Sequence, residues 1–136
     1  MSGFFKKKGK YSNCKKGWRT IGGQRRYFKS AWESNIARYL EFLKQHGEIK
    51  KWTYEKDEFW FEGIRRGVCS YRPDFKVTWE NGSIEYWEVK GWLDPRSATK
   101  LKRMKKYHPS VRIRLIDKDA YKSIEKSVSY LIRGWE

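Results

Sequence analysis

Tyr71-Arg72-Pro73-Asp74-Phe75-Lys76-Val77-Thr78-Trp79 and Ser83-Ile84-Glu85-Tyr86-Trp87-Glu88-Val89-Lys90 flank Glu80-Asn81-Gly82, and how these runs pair decides how the chain is read. Both are rich in aromatic and β-branched residues, and Asn-Gly is a turn signal. Residues 69–79 and 83–90 are therefore expected to form an antiparallel hairpin. If Asn81-Gly82 alone made the turn, Phe75 would oppose Glu88 and Asp74 would oppose Val89, mixing acids with hydrophobes on each face. A loop of Glu80-Asn81-Gly82, with Gly82 left-handed after a type I turn, instead puts Asp74 opposite Glu88. Phe75, Val77, Trp87 and Val89 then share a core face, while Asp74, Glu88 and Lys90 gather on the other. A slip of one residue reverses every side chain, so this sorting favours the second register; a loop of Asn81-Gly82-Ser83 keeps the same parity.

Glu88 and Lys90 are two apart on one strand and so face the same side. An exposed cross-strand ion pair uses the same residue types, and a Glu-x-Lys triplet alone says little in a chain so rich in both. The combination of motif order, hairpin geometry and face separation points further. Two carboxylates held together disfavour each other's ionisation unless positive charge intervenes. A divalent cation is the natural neutraliser, and oxygen-only donors suit magnesium, with manganese as a substitute. Asp74 and Glu88 are the candidate metal ligands, and Lys90 the group that orients an attacking water or meets developing negative charge.

The chain has 136 residues, which suits one domain with a modest core. With 32 Lys and Arg against 16 Asp and Glu, its formal charge of +16 makes a polyanion the first partner to consider. No apolar run approaches membrane-spanning length and no signal-peptide pattern opens the chain, so no membrane partner and a cytoplasmic location are expected. Cys14 and Cys69 are far apart, and with His46 and His108 they lack the paired short spacing of a structural zinc site. The eight Trp and nine Tyr are read mainly as core, because aromatic rings bury much area per residue.

Residues 1–29 carry Lys6, Lys7, Lys8, Lys10, Lys15, Lys16, Arg19, Arg25 and Arg26 among scattered glycines. They read as a basic N-terminal arm, without core elements, that contacts phosphates. The remainder, 30–136, reads as the folded domain. Ser30-Ala31-Trp32-Glu33 matches a capping box, so a helix is expected to begin there, with Glu33, Ile36, Ala37, Leu40 and Leu43 on its inner stripe and Gly47 as the stop. Lys50–Tyr54 and Glu58–Glu62 suit short strands. Asp94-Pro95 is a helix start whose buried stripe is Ala98, Leu101, Met104 and Tyr107. Lys100, Lys102, Arg103, Lys105 and Lys106 crowd the other faces of this helix without interleaved acids, a pattern either of a solvated surface or of phosphate binding. Val111–Ile116 reads as a strand and Ala120–Leu131 as a final helix, giving an α/β domain with helices flanking a sheet.

Pro73-Asp74 with Glu88-Val89-Lys90 resembles the motif of the PD-(D/E)XK nuclease superfamily. Ser-Ala-Trp-Glu at 30–33, Tyr71–Phe75, Glu88-Val89-Lys90-Gly91-Trp92, and the Lys-rich helix running to His108-Pro109 before Val111–Arg114 together resemble phage-type endonuclease I, a family that resolves four-way (Holliday) DNA junctions. The resemblance covers roughly residues 28–116. It implies a restriction-endonuclease-like core with a central mixed β-sheet, and a magnesium-dependent hydrolase of phosphodiesters in branched double-stranded DNA. It carries Glu33 over as a further catalytic carboxylate beside Asp74, Glu88 and Lys90, and it implies a homodimer, phage-encoded and acting in the host cell. The chain departs from the family in a longer, more basic arm and in an unmatched segment after 116. A restriction, repair or single-strand nuclease on the same core, or a non-catalytic basic nucleic-acid-binding module, are the alternatives.

Overall fold

The computed structural model describes residues 15–136; Lys6, Lys7, Lys8, Lys10 and Cys14 lie outside the described residues. In chain order the elements are β1 (Gly17–Ile21), β2 (Gln24–Phe28), α1 (Ala31–Gln45), β3 (Ile49–Tyr54), β4 (Phe59–Trp60), β5 (Ser70–Tyr71), β6 (Phe75–Trp79), β7 (Ile84–Val89), α2 (Pro95–Tyr107), β8 (Ile113–Ile116) and α3 (Lys118–Val128), with a 3-10 turn at Ser129–Leu131. The four-stranded sheet runs β3-β6-β7-β8, antiparallel except for the parallel β7-β8 pair. The architecture is therefore mixed α/β around a central mixed sheet.

The hairpin takes the favoured register, with Glu85 as a buried acid on the otherwise hydrophobic face. Phe75 pairs with Trp87, Val77 with Glu85 and Thr78 with Ile84, so the next position outward sets Asp74 beside Glu88. The loop is Glu80-Asn81-Gly82, closed by Trp79 N–H to the Ser83 carbonyl at 2.8 Å, with Gly82 at φ +89°. Phe75, Val77, Trp87 and Val89 are buried with Ile36, Ala37 and Leu40 of α1, Ile116 of β8 and Tyr121 of α3 in the main core. A smaller cluster, Phe61, Val68, Tyr71 and Met104, gathers residues of α2 and the β4–β5 region. At Asp74 the polar face of the hairpin is covered, leaving that residue only 6% exposed.

Ser30 caps α1, its Oγ accepting from Glu33 N–H at 3.1 Å. The return half of the capping box differs from expectation, because the Glu33 carboxylate accepts from the Ser30 hydroxyl at 3.2 Å and from a more distant tyrosine. Asp94 caps α2 with Pro95 at its first position, and Asp117 caps α3. The last helix therefore starts earlier than Ala120 and gives way to a 3-10 turn after Val128. In α2 the buried residues are Ser97 and Met104, and Ala98 is exposed.

Two expectations are corrected. Residues 17–28 are not an arm free of core elements: β1 and β2 form an antiparallel hairpin whose Gly22-Gly23 turn has φ of +59° and +76°, and Ile21 and Phe28 enter the main core. Two successive left-handed residues make the tight turn that matches strand twist, which glycine adopts at no steric cost. Residues 69–79 are not one strand either. They break at Arg72–Asp74, with β5 paired to β4 and β6 in the main sheet, because Pro73 has no N–H to give to a ladder.

Candidate active site: a recessed carboxylate cluster

At the break between β5 and β6 the ladder is continued by a side chain. Asp74 Oδ2 accepts the Val89 N–H at 2.8 Å, and the Asp74 carbonyl accepts from Glu55 N–H, also at 2.8 Å. The Asp74 carboxylate is thereby fixed at the end of β7, next to Glu88. Glu88 Oε1 accepts the Tyr71 hydroxyl at 2.9 Å. Glu33, buried on the inner face of the first turn of α1, accepts the Tyr54 hydroxyl at 2.6 Å.

The three acids feel one another. Burial pushes the Asp74 carboxyl well above its ordinary value, and the charges of Glu88 and Glu33 push it further, against the Val89 amide and Lys29. Glu88 is raised by burial and by Glu33 in spite of the Tyr71 hydroxyl, Lys90 and the Asp74 amide. Glu33 is raised by burial, which outweighs Tyr54, Lys29 and Ser30. The hydroxyls of Tyr54 and Tyr71 are driven upward by their own burial and by the neighbouring carboxylates, so both remain protonated donors.

Lys90 follows β7, its N–H bonded to the Ile116 carbonyl at 3.0 Å and its Nζ 4.0 Å from Asp94. The next residue, Gly91, lies against the ring of Trp32: a Cβ there would come within 3.1 Å of it. Trp32 in turn stacks on Tyr121 at 4.1 Å between centroids. The turn that carries Glu33 and the strand end that carries Lys90 are thus packed together through a glycine. Lys29 approaches from the other side, its Nζ 2.5 Å from Glu55. Burial acts to lower its pKa, but Glu55, Glu33 and Asp74 raise it overall.

The structure therefore brings Glu33, Asp74, Glu88 and Lys90 into one cluster. Lys29, Tyr54 and Tyr71 belong to it as well and were not assigned roles from sequence. Tyrosines at strand ends carry no motif, and Lys29 was one cation among many. Among the described residues no three His, Cys, Asp or Glu side chains are arranged to hold one metal ion. Both Glu33 oxygens are engaged by hydroxyls, whereas Asp74 and Glu88 each keep one oxygen without a hydrogen-bond partner among the described residues. Two carboxylates with water completing the shell is the usual protein share of a magnesium site. The donor set therefore fits a hard divalent cation held by two side chains.

The expected phosphate contacts divide. Lys15 and Lys16 are exposed, as are Lys102, Lys105 and Lys106, and Lys100 is partly so. Arg19 is occupied by Glu136, to which it donates at 2.6 and 2.8 Å. Arg103 donates to the Val68 carbonyl and ties α2 to the loop before β5. Arg25 stacks on Trp18, 4.4 Å from the ring centre.

The fold and the cluster define the chain as a mixed α/β domain with a largely buried three-carboxylate cluster flanked by two lysines. No protein-family model matches the chain, and no curated protein or solved structure matches it either. None of its helices among the described residues is long and apolar enough to cross a membrane.

Proposed function

We propose that the protein is a divalent-metal-dependent DNA endonuclease of the PD-(D/E)XK type, with four-way junctions as its substrate, working as a homodimer. The observation that carries the reading is the convergence of Asp74, Glu88 and Glu33, all raised by burial, with Glu33 raising both Asp74 and Glu88 further, in a chain whose formal charge is +16. An acid cluster is costly in such a place unless its ligand is a cation, and a strongly basic chain recruits a polyanion. The two together describe a metal site that meets phosphate.

Asp74 and Glu88 would hold magnesium, which supplies a more acidic bound water and a Lewis acid for the phosphoryl oxygen. The Val89 amide and the Tyr71 hydroxyl fix the orientation of these two carboxylates. Lys90 donates to the attacking water or to the charge that develops on the phosphate. Glu33, kept at the cluster by Tyr54 and Ser30, would be the further catalytic carboxylate.

Cleavage of a labelled four-way junction and a matched linear duplex, with magnesium and with EDTA, tests this. Paired nicks near the branch that need the metal are expected. Asp74→Asn and Lys90→Ala should each cut at least about 100-fold more slowly, the scale on which groups aimed at transition-state charge act. Undiminished cutting by both variants would overturn the assigned roles. Equal cutting of the linear duplex would remove the junction preference and keep the chemistry.

A further inference from the structure

A recess of about 540 Å³ opens beside the carboxylate cluster, between β2 and the end of β3. Tyr54 and Glu55 belong to both places. They line the recess, while the Tyr54 hydroxyl holds Glu33 and the Glu55 amide holds the Asp74 carbonyl. Whatever enters the recess therefore lies next to the groups proposed to act on a phosphodiester.

Its other walls are cationic. Arg26, Lys56 and Arg72 contribute three positive charges. The lining carboxylate, Glu55, is already paired with Lys29. Arg72 is paired with Glu58 at 3.0 Å, whereas Arg26 and Lys56 have no carboxylate partner among the described residues. Glu55 has φ +48°, the only positive value among the described residues other than glycines. A left-handed conformation is unfavourable for a residue with a side chain, so the bend that turns the chain from β3 to Lys56 is maintained against strain. Thr53, also in the wall, carries the one buried side-chain polar atom without a hydrogen-bond partner among the described residues. Tyr27 adds a half-exposed ring at the rim. The volume lies in the range of small-ligand sites, about 300–1,000 Å³.

We propose that this recess is a second substrate subsite, holding the sugar and phosphate of the nucleotide adjacent to the scissile bond, with Arg26 and Lys56 as the phosphate-binding groups. The assignment rests on the nuclease reading for its position along the strand. Its phosphate chemistry is tested separately.

The double variant Arg26→Ala/Lys56→Ala is compared with wild type and with Lys118→Ala/Lys126→Ala, which removes the same charge from exposed positions of α3. Anisotropy of a labelled four-way junction in EDTA, over a range of salt, measures binding without cleavage. The recess variant should bind about tenfold more weakly than the α3 variant, with the slope of log affinity against log salt reduced by about one, as for one lost phosphate contact. In magnesium its KM should rise about tenfold with kcat within about twofold of wild type, the signature of lost ground-state binding. Affinity, salt slope and KM equal to those of the α3 variant would overturn the subsite, even while the wild type cuts. A specific binding loss in a wild-type protein that cuts no DNA would support the phosphate site and overturn the nuclease reading.

Discussion

Asp74 accepts one main-chain amide and feels Lys29, but burial and the neighbouring acids outweigh both, so its raised pKa is a statement about stability. An acid with a folded pKa above its unfolded value of about 3.9 binds more proton folded than unfolded. Its contribution is most favourable at low pH and is lost as pH rises from that value through the folded pKa. Asp74→Asn keeps an oxygen for the Val89 N–H and removes the charge. In metal-free buffer at pH 7 the variant should melt at a higher temperature than wild type, and its stability should fall less steeply as pH rises above about 4. Manganese should raise the melting temperature of wild type, by about 2.7 kcal/mol of stability at a hundredfold excess over its dissociation constant, and leave the variant unchanged. A variant no more stable than wild type without metal, together with equal responses to manganese, would contradict this account. Glu88, Lys90 and Glu33 could be picked out from sequence because they fall in motifs. Tyr54, Tyr71 and Lys29 could not, because their roles arise only from where β3, β5 and β2 end.

Among the elements, the β1–β2 hairpin departs most from the expectation of an unstructured arm. Phe28 is fully buried and packs on Tyr54 with ring centres 4.6 Å apart, one residue before Lys29. Phe28→Ala should cost about 3–5 kcal/mol in urea unfolding, the range for deleting a buried aromatic ring. A loss below about 0.5 kcal/mol, typical of surface positions, would return residues 17–28 to the status of an arm. The turn signal was visible: Gly22-Gly23 sits between Trp-Arg-Thr-Ile and Gln-Arg-Arg-Tyr-Phe. The density of charge obscured it, since Arg19 faces inward only because Glu136 meets it there. By contrast the pairing of the β6–β7 hairpin was legible, because alternation with period two favours the register that sets Asp74 beside Glu88, although Glu85, opposite Val77, lies buried on the hydrophobic face.

Across the whole molecule, Glu136 joins segments far apart in the chain. Its carboxylate accepts from Arg19 of β1 and from Arg38 and Ser34 of α1, and its main chain pairs with Asn35. Hydrogen bonding to Arg19, then to Arg38 and Ser34, outweighs partial burial and holds its pKa at about 2. A depressed folded pKa contributes stability that is complete above the unfolded value, about 4.3, and is lost as pH falls towards 2. Glu136→Gln should therefore flatten the acid limb of the stability curve between about pH 4.5 and 2. At neutral pH it should cost on the order of 1 kcal/mol, since the group is partly exposed and screened. An unchanged acid limb would show that the tie contributes nothing.

Alternation, capping residues and turn chemistry were enough to place the central hairpin and its face parity, the caps of α1 and α2, and Asp74, Glu88 and Lys90 as one group, because each depends on neighbours within a few positions or on one pairing, while Glu33 was added through the family resemblance. The tertiary structure alone decided that Glu33 and Asp74 are buried, with Glu88 partly so, and not on an outer face. It also decided that Arg19 and Arg103 turn inward, and that β2, β3 and the Arg72 segment enclose a cationic recess beside the cluster. Such properties depend on which distant segments cover a given face, and burial, the quantity that sets the pKa of every acid in the site, has no period along a chain.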